Sequence, residues 1–158
     1  MKIILRFIII STILVSCGVK TKNEELKQAP LPIIGTWQLI SGTTIEKGDT
    51  TVTDYTKNLS FIKIINDTHF AFLKHDLTKG KDSAAAFGAG GGTYSLKDSL
   101  YTEHLEYCNA REWEDNDFKF IITINNDTLI QSGIEKVENA GVNRLNIEKY
   151  TRLKINVK

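Results

Sequence analysis

The sequence predicts an all-β fold, and within that class an eight-stranded, up-and-down antiparallel barrel. Three observations lead to this prediction. Short segments rich in β-branched and aromatic residues recur after Pro32, turn-forming residues separate them, and no strong helical periodicity interrupts them. Eight sequential strands can close into a barrel without a free edge. The segments, in chain order, are residues 34–41, 59–65, 68–75, 84–96, 100–108, 118–124, 128–134 and 144–155.

The connections between these segments favour sequential hairpins. Asn66-Asp67 joins the second and third segments, and Asn125-Asn126-Asp127 joins the sixth and seventh. Asn and Asp tolerate the left-handed backbone of tight turns. Residues 50–55 are either a ninth short strand or an ordered loop. Residues 135–143 are the one stretch of the domain that suits a short helix, which Gly141 would end.

The glycine run at residues 88–92 lies inside the fourth segment. It lacks the following Lys-Ser/Thr and the helix of a phosphate-binding loop, so the sequence does not indicate a nucleotide site. Glycine in a strand permits sharp bends and close approach of another backbone. We therefore interpret the run as a device for barrel curvature in preference to a direct ligand contact.

The N-terminal residues follow the order typical of an exported chain. Lys2 and Arg6 supply positive charge, an apolar run follows, and Ser16 precedes Cys17. The run is shorter than the roughly 20 residues that a membrane-spanning helix needs, which favours a cleaved signal peptide. Leu14-Val15-Ser16-Cys17 resembles a bacterial lipobox, and this resemblance implies that Cys17 becomes lipidated. Two alternatives to the lipoprotein interpretation are a cytosolic chain that begins with a hydrophobic strand and an exported chain that is cleaved without lipidation.

These features predict three regions: a lipoprotein signal peptide (1–16), a lipidated Cys17 with a polar tether (17–32), and a barrel domain (33–158). Two acyl chains give stable membrane attachment. Lipidation consumes Cys17 and leaves Cys108 without an intramolecular disulfide partner. The resemblance implies a lipid-anchored location in the cell envelope. Gly18 stands where an Asp often signals inner-membrane retention, which favours the outer membrane if the cell is Gram-negative.

The charge balance argues against a nucleic-acid partner. The full chain has a formal net charge of +1, and loss of Lys2 and Arg6 with the signal peptide changes it to −1. Charged residues are spread through the chain without a long basic block. Nucleic-acid-binding domains are usually basic on at least one face, so we expect no nucleic-acid partner here.

Two further motifs resemble a known structural group. Gly35-Thr36-Trp37 resembles the Gly-x-Trp opening of lipocalins and related calycins, and Arg152 in the last strand matches their C-terminal arginine in type and order. The resemblance implies that Trp37 closes one barrel end and that Arg152 packs across its ring. Residues 90–94 and 101–107 resemble small lipocalin-like lipoproteins of Bacteroidota, which often have no assigned activity. The chain departs from typical lipocalins in lacking a clear helix before the last strand and a disulfide pair.

Strand alternation selects the candidate ligand-binding residues. Tyr101, Glu103 and Tyr107 share one face of the fifth segment with Leu105, a mixture of aromatic, acidic and aliphatic groups. Glu103 is either a ligand-orienting carboxylate or the structural partner of a Lys or Arg. Phe70 and Phe72 either line a cavity or fill it. The residues expected to face one cavity are Tyr94, Tyr101, Glu103, Tyr107, Gln131, Phe70 and Phe72.

The sequence contains no recognisable catalytic motif. His69, His75 and His104 form no close pair of metal-ligand spacing, and no Gly-x-Ser-x-Gly motif is present. We expect no enzymatic activity, no metal and no cofactor. The leading hypothesis is an anchored barrel that binds a small apolar or amphipathic ligand. The alternative is a lipoprotein with a filled barrel that binds an envelope protein, and a weaker one is an enzyme at the barrel mouth. A cavity of several hundred cubic ångströms would favour the ligand-binding hypothesis.

Overall fold

The computed structural model describes residues 32–81, 83 and 85–154. Its sheet runs in the order β2-β1-β3-β4-β5-β6-β7-β8-β9, and an additional pairing of β1 with β9 closes eight of these strands into a barrel. All pairings are antiparallel, which confirms the predicted up-and-down barrel. The strands are β1 (Gly35–Glu46), β2 (Asp49–Asp54), β3 (Leu59–Ile65), β4 (His69–Asp76), β5 (Phe87–Lys97), β6 (Leu100–Cys108), β7 (Asn116–Asn125), β8 (Thr128–Val137) and β9 (Val142–Arg152).

The first strand is longer than expected because it pairs on one side with two strands in succession. Its first residues pair with β3, from Gly35 to Gln38, and its second half pairs with β2, from Ser41 to Glu46. On its other side β1 pairs with β9, with a register shift between Leu39 and Ser41. Residues 50–55 are therefore mostly strand, and β2 extends the wall at one end of the barrel.

One end of the barrel is closed by Trp37 and Arg152. The indole is fully buried and donates from Nε1 to the carbonyl of Ile33 at 2.7 Å. The Arg152 guanidinium lies 4.0 Å from the ring centroid of Trp37 and donates to the carbonyls of Ile34 and Pro32 at 2.7 and 2.6 Å. The cation–π contact implied by the resemblance is present, and the guanidinium also satisfies backbone acceptors at this end.

The turns at the closed end are short, and the two longest connections between strands, β4–β5 and β6–β7, are at the open end. The β7–β8 turn uses Asn126 at φ 52°, as its residue type favours. The β3–β4 turn instead uses the side chain of Asn66, which accepts from the amides of Thr68 and His69. At the open end β8 continues to Val137, and the segment considered for a helix contains only one 3₁₀ turn over Glu138–Ala140.

The glycines of β5 allow its neighbours to approach closely. A Cβ at Gly92 would overlap with the carbonyl oxygen of His104 on β6. A Cβ at Gly90 would lie 2.5 Å from the Phe72 ring on β4. Next to Gly92 the β5–β6 register shifts, so that Gly92 pairs with Leu105 and Gly91 with Tyr107. Glu106 is the extra residue of this β-bulge, and it reverses the inward–outward alternation beyond it.

The hydrophobic core extends from the closed end into the middle of the barrel. Its largest fully buried side chains include Trp37, Leu39, Tyr101, Phe120 and Tyr150. None of the helices in the described ranges is long and apolar enough to cross a membrane. The predicted signal peptide, Cys17 and the tether up to residue 31 lie outside the described residues.

Candidate functional site

The open end of the barrel contains a cavity of about 470 Å³. Small-molecule sites usually have volumes of this order and combine an apolar wall with a few polar groups. The apolar and aromatic side chains of the lining include Tyr55, Phe61, Phe72, Phe87, Leu105, Trp113, Phe118 and Phe120. The polar and charged side chains include Lys63, Lys74, Glu103, Gln131, Glu135, Arg144, Asn146, Glu148 and the hydroxyl-bearing Tyr150.

Three strands bring a lysine, a glutamate and a glutamine together on the inner side of the barrel. The Lys63 ammonium donates to Oε1 of Glu103 at 2.7 Å and to Oε1 of Gln131 at 3.1 Å. All three residues are buried, and the lysine and glutamate side chains are only 4% and 9% exposed. Alternation places each of them inward on β3, β6 and β8 respectively. Glu103 therefore has the cationic partner that one of the two sequence interpretations assigned to it.

The surroundings raise the pKa of both members of this pair. Burial by itself lowers the pKa of Lys63, but the charges of Glu103 and then Glu148 reverse this effect and raise it. Burial raises the pKa of Glu103, and Lys63 opposes that rise. The ammonium also lies 5.4 to 5.9 Å from the ring centroids of Phe70, Tyr101 and Tyr150, within the range of cation–π attraction. The lysine charge is thus stabilised by a carboxylate and by three rings.

A second polar cluster lies nearer the mouth of the cavity. Arg144 Nε donates to Glu135 Oε2 at 2.7 Å, and Asn146 Nδ2 donates to Glu135 Oε1 at 2.7 Å. The Arg144 guanidinium lies 5.5 Å from the ring centroid of Trp113. Burial, followed by the charge of Glu148, raises the pKa of Glu135. The carboxylate of Glu135 is thus held by two donors on the adjacent strand β9.

The candidate residues chosen by strand alternation divide into two groups. Glu103, Gln131 and Phe72 are among the lining residues of the cavity. Phe70 and Tyr101 are buried in the core beside Lys63, and neither is part of the described lining. The Tyr101 hydroxyl is buried without a hydrogen-bond partner among the described residues, and burial followed by the charge of Glu103 raises its pKa.

The predicted placement of two tyrosines is wrong. Tyr107 is 67% exposed, because the β-bulge at Glu106 turns it outward and turns Cys108 toward the cavity. Tyr94 packs against Tyr101 with ring centroids 5.2 Å apart, but its hydroxyl donates to the carbonyl of Asn66 at the closed end. Its long side chain therefore reaches away from the cavity.

Five charged residues of the site were not selected from the sequence, Lys63, Lys74, Glu135, Arg144 and Glu148, and neither was the amide-bearing Asn146. On β9 a usable signal was present. Once Arg152 is placed inward over Trp37, a period of two also places residues 150, 148, 146 and 144 inward. On β3 the lysine lies between Phe61 and Ile65, which share its face and indicate an inward direction. Alternation continued along a strand from one known inward position therefore predicts these residues.

The histidines and cysteines do not form a metal site in the described part of the chain. No group of three or more His, Cys, Asp or Glu side chains there has the arrangement needed to hold a metal ion. His69 and His75 are exposed, and His104 pairs through Nδ1 with Asp117 at 2.8 Å on the outer side of the barrel.

Comparisons with known proteins identify a family and structural neighbours. No curated protein matches the chain significantly. Among solved structures, the crystal structure of an uncharacterized protein from Bacteroides eggerthii DSM 20697 is similar, with 12% sequence identity and a TM-score of 0.45. That match covers 76% of this chain and 98% of the other. A family model described as "Domain of unknown function (DUF4488)" matches residues 32–158, and the chain belongs to this family.

Proposed function

We propose that this protein is a membrane-anchored envelope lipoprotein that binds a small, partly apolar ligand inside its lipocalin-like barrel, as a carrier, scavenger or sensor. The observation that carries the proposal is the cavity of about 470 Å³ at the open end. Burial of apolar ligand surface against the aromatic side chains supplies affinity. The few polar side chains supply orientation, because an unmatched polar group inside the cavity costs free energy.

The polar network also supports a binding role over a filled interior. Lys63, Glu103 and Gln131 hold one another in place, and Glu135 is held by Arg144 and Asn146. A site whose polar groups are already oriented loses less conformational entropy when a ligand binds. Apolar packing of this end would instead need such groups to be replaced or left unpaired.

Native mass spectrometry of the full-length protein, purified from its own membrane, tests ligand binding. We expect a bound small molecule that a Thr44→Trp variant loses, because Thr44 lines the cavity and the indole would fill it. Thr43→Trp is the matched control, since Thr43 lies on the same strand with its side chain on the opposite face. Equal retention by both variants would contradict binding in the cavity, as would a wild type that neither carries a small molecule nor binds an added one.

The anchor has a separate test. Replacement of Cys17 by Ser removes the thiol that the lipobox resemblance assigns to acylation. We expect the variant to leave the membrane fraction and to lose metabolic lipid label, because stable attachment depends on the acyl chains. A Cys108→Ser variant is the control and should remain attached. Unchanged labelling and membrane retention of the Cys17→Ser variant would contradict the lipoprotein assignment.

An interaction lipoprotein is the second candidate function, and the outer surface supports it. Leu100, Ile121, Ile130 and Ile134 are exposed on β6, β7 and β8. Leu100 pairs directly with Ile121, and Ile121 faces the position between Ile130 and Ile134. Clustered apolar side chains of this kind often mark protein contacts. Retention of a protein partner without a small molecule in the same mass spectra would favour this function.

A further inference from the structure

The charged side chains of the cavity do not balance in pairs. Glu103 is paired with Lys63, and Glu135 is paired with Arg144, each at 2.7 Å. Glu148 also lines the cavity, but its described contact is with a neutral group, the Tyr150 hydroxyl, which donates to Oε2 at 2.7 Å. The two ion pairs therefore leave one carboxylate without a dedicated cation.

The remaining cation of the lining lies in a different layer of the barrel. Lys74 is on β4, two positions nearer the mouth than Phe72, where it pairs with Phe61 on one side and Gly88 on the other. Its Cε lies 3.4 Å from where a Cβ of Gly88 would stand, so its side chain extends over β5. Glu148 is on β9, where it pairs with Gln131 on one side and with Gly42 on the other. Since Gln131 contacts Lys63, Glu148 belongs to the deeper layer. Lys63 is the cation of that layer, and Glu103 already accepts one of its hydrogen bonds.

The surroundings of Glu148 are open on one side and aromatic. Gly42 has no side chain, and the Tyr55 ring passes over it, 3.2 Å from where a Cβ would stand. The charge of Glu148 also contributes to raising the pKa of Tyr55, second to burial, which agrees with this proximity. Tyr55 contacts Phe61 edge to face, with centroids 5.7 Å apart, and Phe61 stacks on Phe72 at 5.8 Å. We call these three residues the aromatic row.

We propose that the ligand is a monocation with an apolar body, whose ammonium group binds Glu148 and whose body lies against the aromatic row. This inference rests on the proposed ligand-binding function. A cation would neutralise the unpaired carboxylate, and the faces of aromatic rings attract cations that are removed from water. A ligand carboxylate would instead approach Glu148 in a partly enclosed site, where repulsion between like charges is screened weakly.

Three probes of nearly equal shape test the sign of the charge: phenethylammonium, phenethyl alcohol and hydrocinnamate. Isothermal titration calorimetry with the detergent-solubilised full chain, freed of bound small molecules, measures each affinity. We expect phenethylammonium to bind roughly tenfold more tightly than the alcohol, the effect of one charge-assisted hydrogen bond. Hydrocinnamate should bind least. Tightest binding of hydrocinnamate, or no binding of phenethylammonium, would overturn the proposal.

A Glu148→Gln variant separates the carboxylate charge from the shape of the site. The glutamine keeps an oxygen that accepts from Tyr150, so the fold should be retained. We expect the variant to bind phenethylammonium no better than the alcohol. Glu112→Gln is the matched control, because Glu112 is exposed and outside the lining. An unchanged preference for the ammonium probe in Glu148→Gln would overturn the assignment to Glu148.

The outcomes distinguish this inference from the proposed function. A neutral or anionic molecule that co-purifies with wild type and is lost from Thr44→Trp would overturn the cationic ligand and leave the binding function standing. Absence of any co-purified molecule, together with no binding of the three probes, would overturn both. Selective binding of phenethylammonium that depends on Glu148 would support both.

Discussion

The two ends of the barrel are built from the same eight strands, but their inward-facing side chains differ. At the closed end the inward side chains are large and apolar, and Trp37, Leu39 and Leu129 are at most 1% exposed. At the open end the inward positions of the same strands hold charged and amide groups, among them Lys63 and Gln131. Alternation is shared by both ends, so the chemistry of the inward residues decides which end fills and which stays hollow.

The difference shows how a small barrel keeps a cavity. Apolar side chains gain by packing against one another and therefore close the space around Trp37. Buried charges gain only when each has a partner in the right geometry, and this requirement holds Lys63 and Arg144 against the wall. The connections differ in the same sense. The turns at the closed end are short, whereas the chain takes ten residues from β4 to β5 and seven from β6 to β7 at the open end.

The comparison predicts that the closed end provides more of the stability. We expect Trp37→Ala to lower the free energy of unfolding by about 3–5 kcal/mol, because it leaves a large void in a packed region. Phe61→Ala is the matched variant at the open end, where the ring is half-buried beside existing space, and should cost less than half as much. Urea unfolding of both measures the difference. Equal losses would contradict the contrast between the two ends.

The buried ion pair predicts a large effect of a different origin. We expect Lys63→Met to cost about 3 kcal/mol, because it leaves the Glu103 carboxylate buried without its cation. Burial raises the pKa of Glu103, so this deficit should shrink as the pH falls toward the usual value of 4.5, where the carboxyl group is neutral. Unfolding at several pH values measures it.

The double variant Lys63→Met/Glu103→Leu is the control for this experiment, because it removes both charges. It should recover most of the lost stability, as replacement of a buried pair by apolar residues is often close to neutral. A double variant as unstable as the single one would show that packing, and not the unpaired charge, causes the loss.

A smaller effect is expected from the contact that caps the closed end. Trp37 and Arg152 should couple by about 0.5–2 kcal/mol in a double-mutant cycle with alanine, the range for a cation–π contact. The guanidinium also donates to two carbonyls, so the single Arg152→Ala loss includes those bonds. Additive losses in the cycle would mean that the stacking adds nothing to stability.

Much of the fold could be predicted because its signals are local. Strand alternation and turn residues predicted eight strands in the correct order. Glu103 and Gln131 were placed inward correctly because β6 and β8 keep their alternation up to those residues. Tyr107 was misplaced because the bulge at Glu106 depends on how β5 and β6 fit together. The glycines that permit this fit were visible in the sequence, but the position of the extra residue was not.

The pairing inside the site could not be predicted for a related reason. Lys63 is separated from Glu103 by 40 positions and from Gln131 by 68. Alternation states which side chains enter the barrel, whereas the stagger of the strands decides which of them meet. The position of Glu148 outside both ion pairs depends on the same stagger.

The smallest expected effect concerns the hydrogen bonds of Asp76, at the end of β4 on the open side of the barrel. Asp76 accepts from the hydroxyl of Thr78 and from the amides of Gly80 and Ala86, and these bonds hold its pKa well below the usual 3.8. A lowered folded-state pKa stabilises the protein above about pH 4, and this stabilisation is lost as the pH falls below it. Wild type should therefore lose stability more steeply than Asp76→Asn between about pH 4 and pH 2. Hydrogen exchange at the amides of Gly80 and Ala86 locates the effect: faster exchange at these sites in Asp76→Asn at neutral pH, with the amides near Trp37 unchanged, would show that polar bonds order the mouth independently of the closed end. Equal acceleration at both ends would show that the two are one cooperative unit.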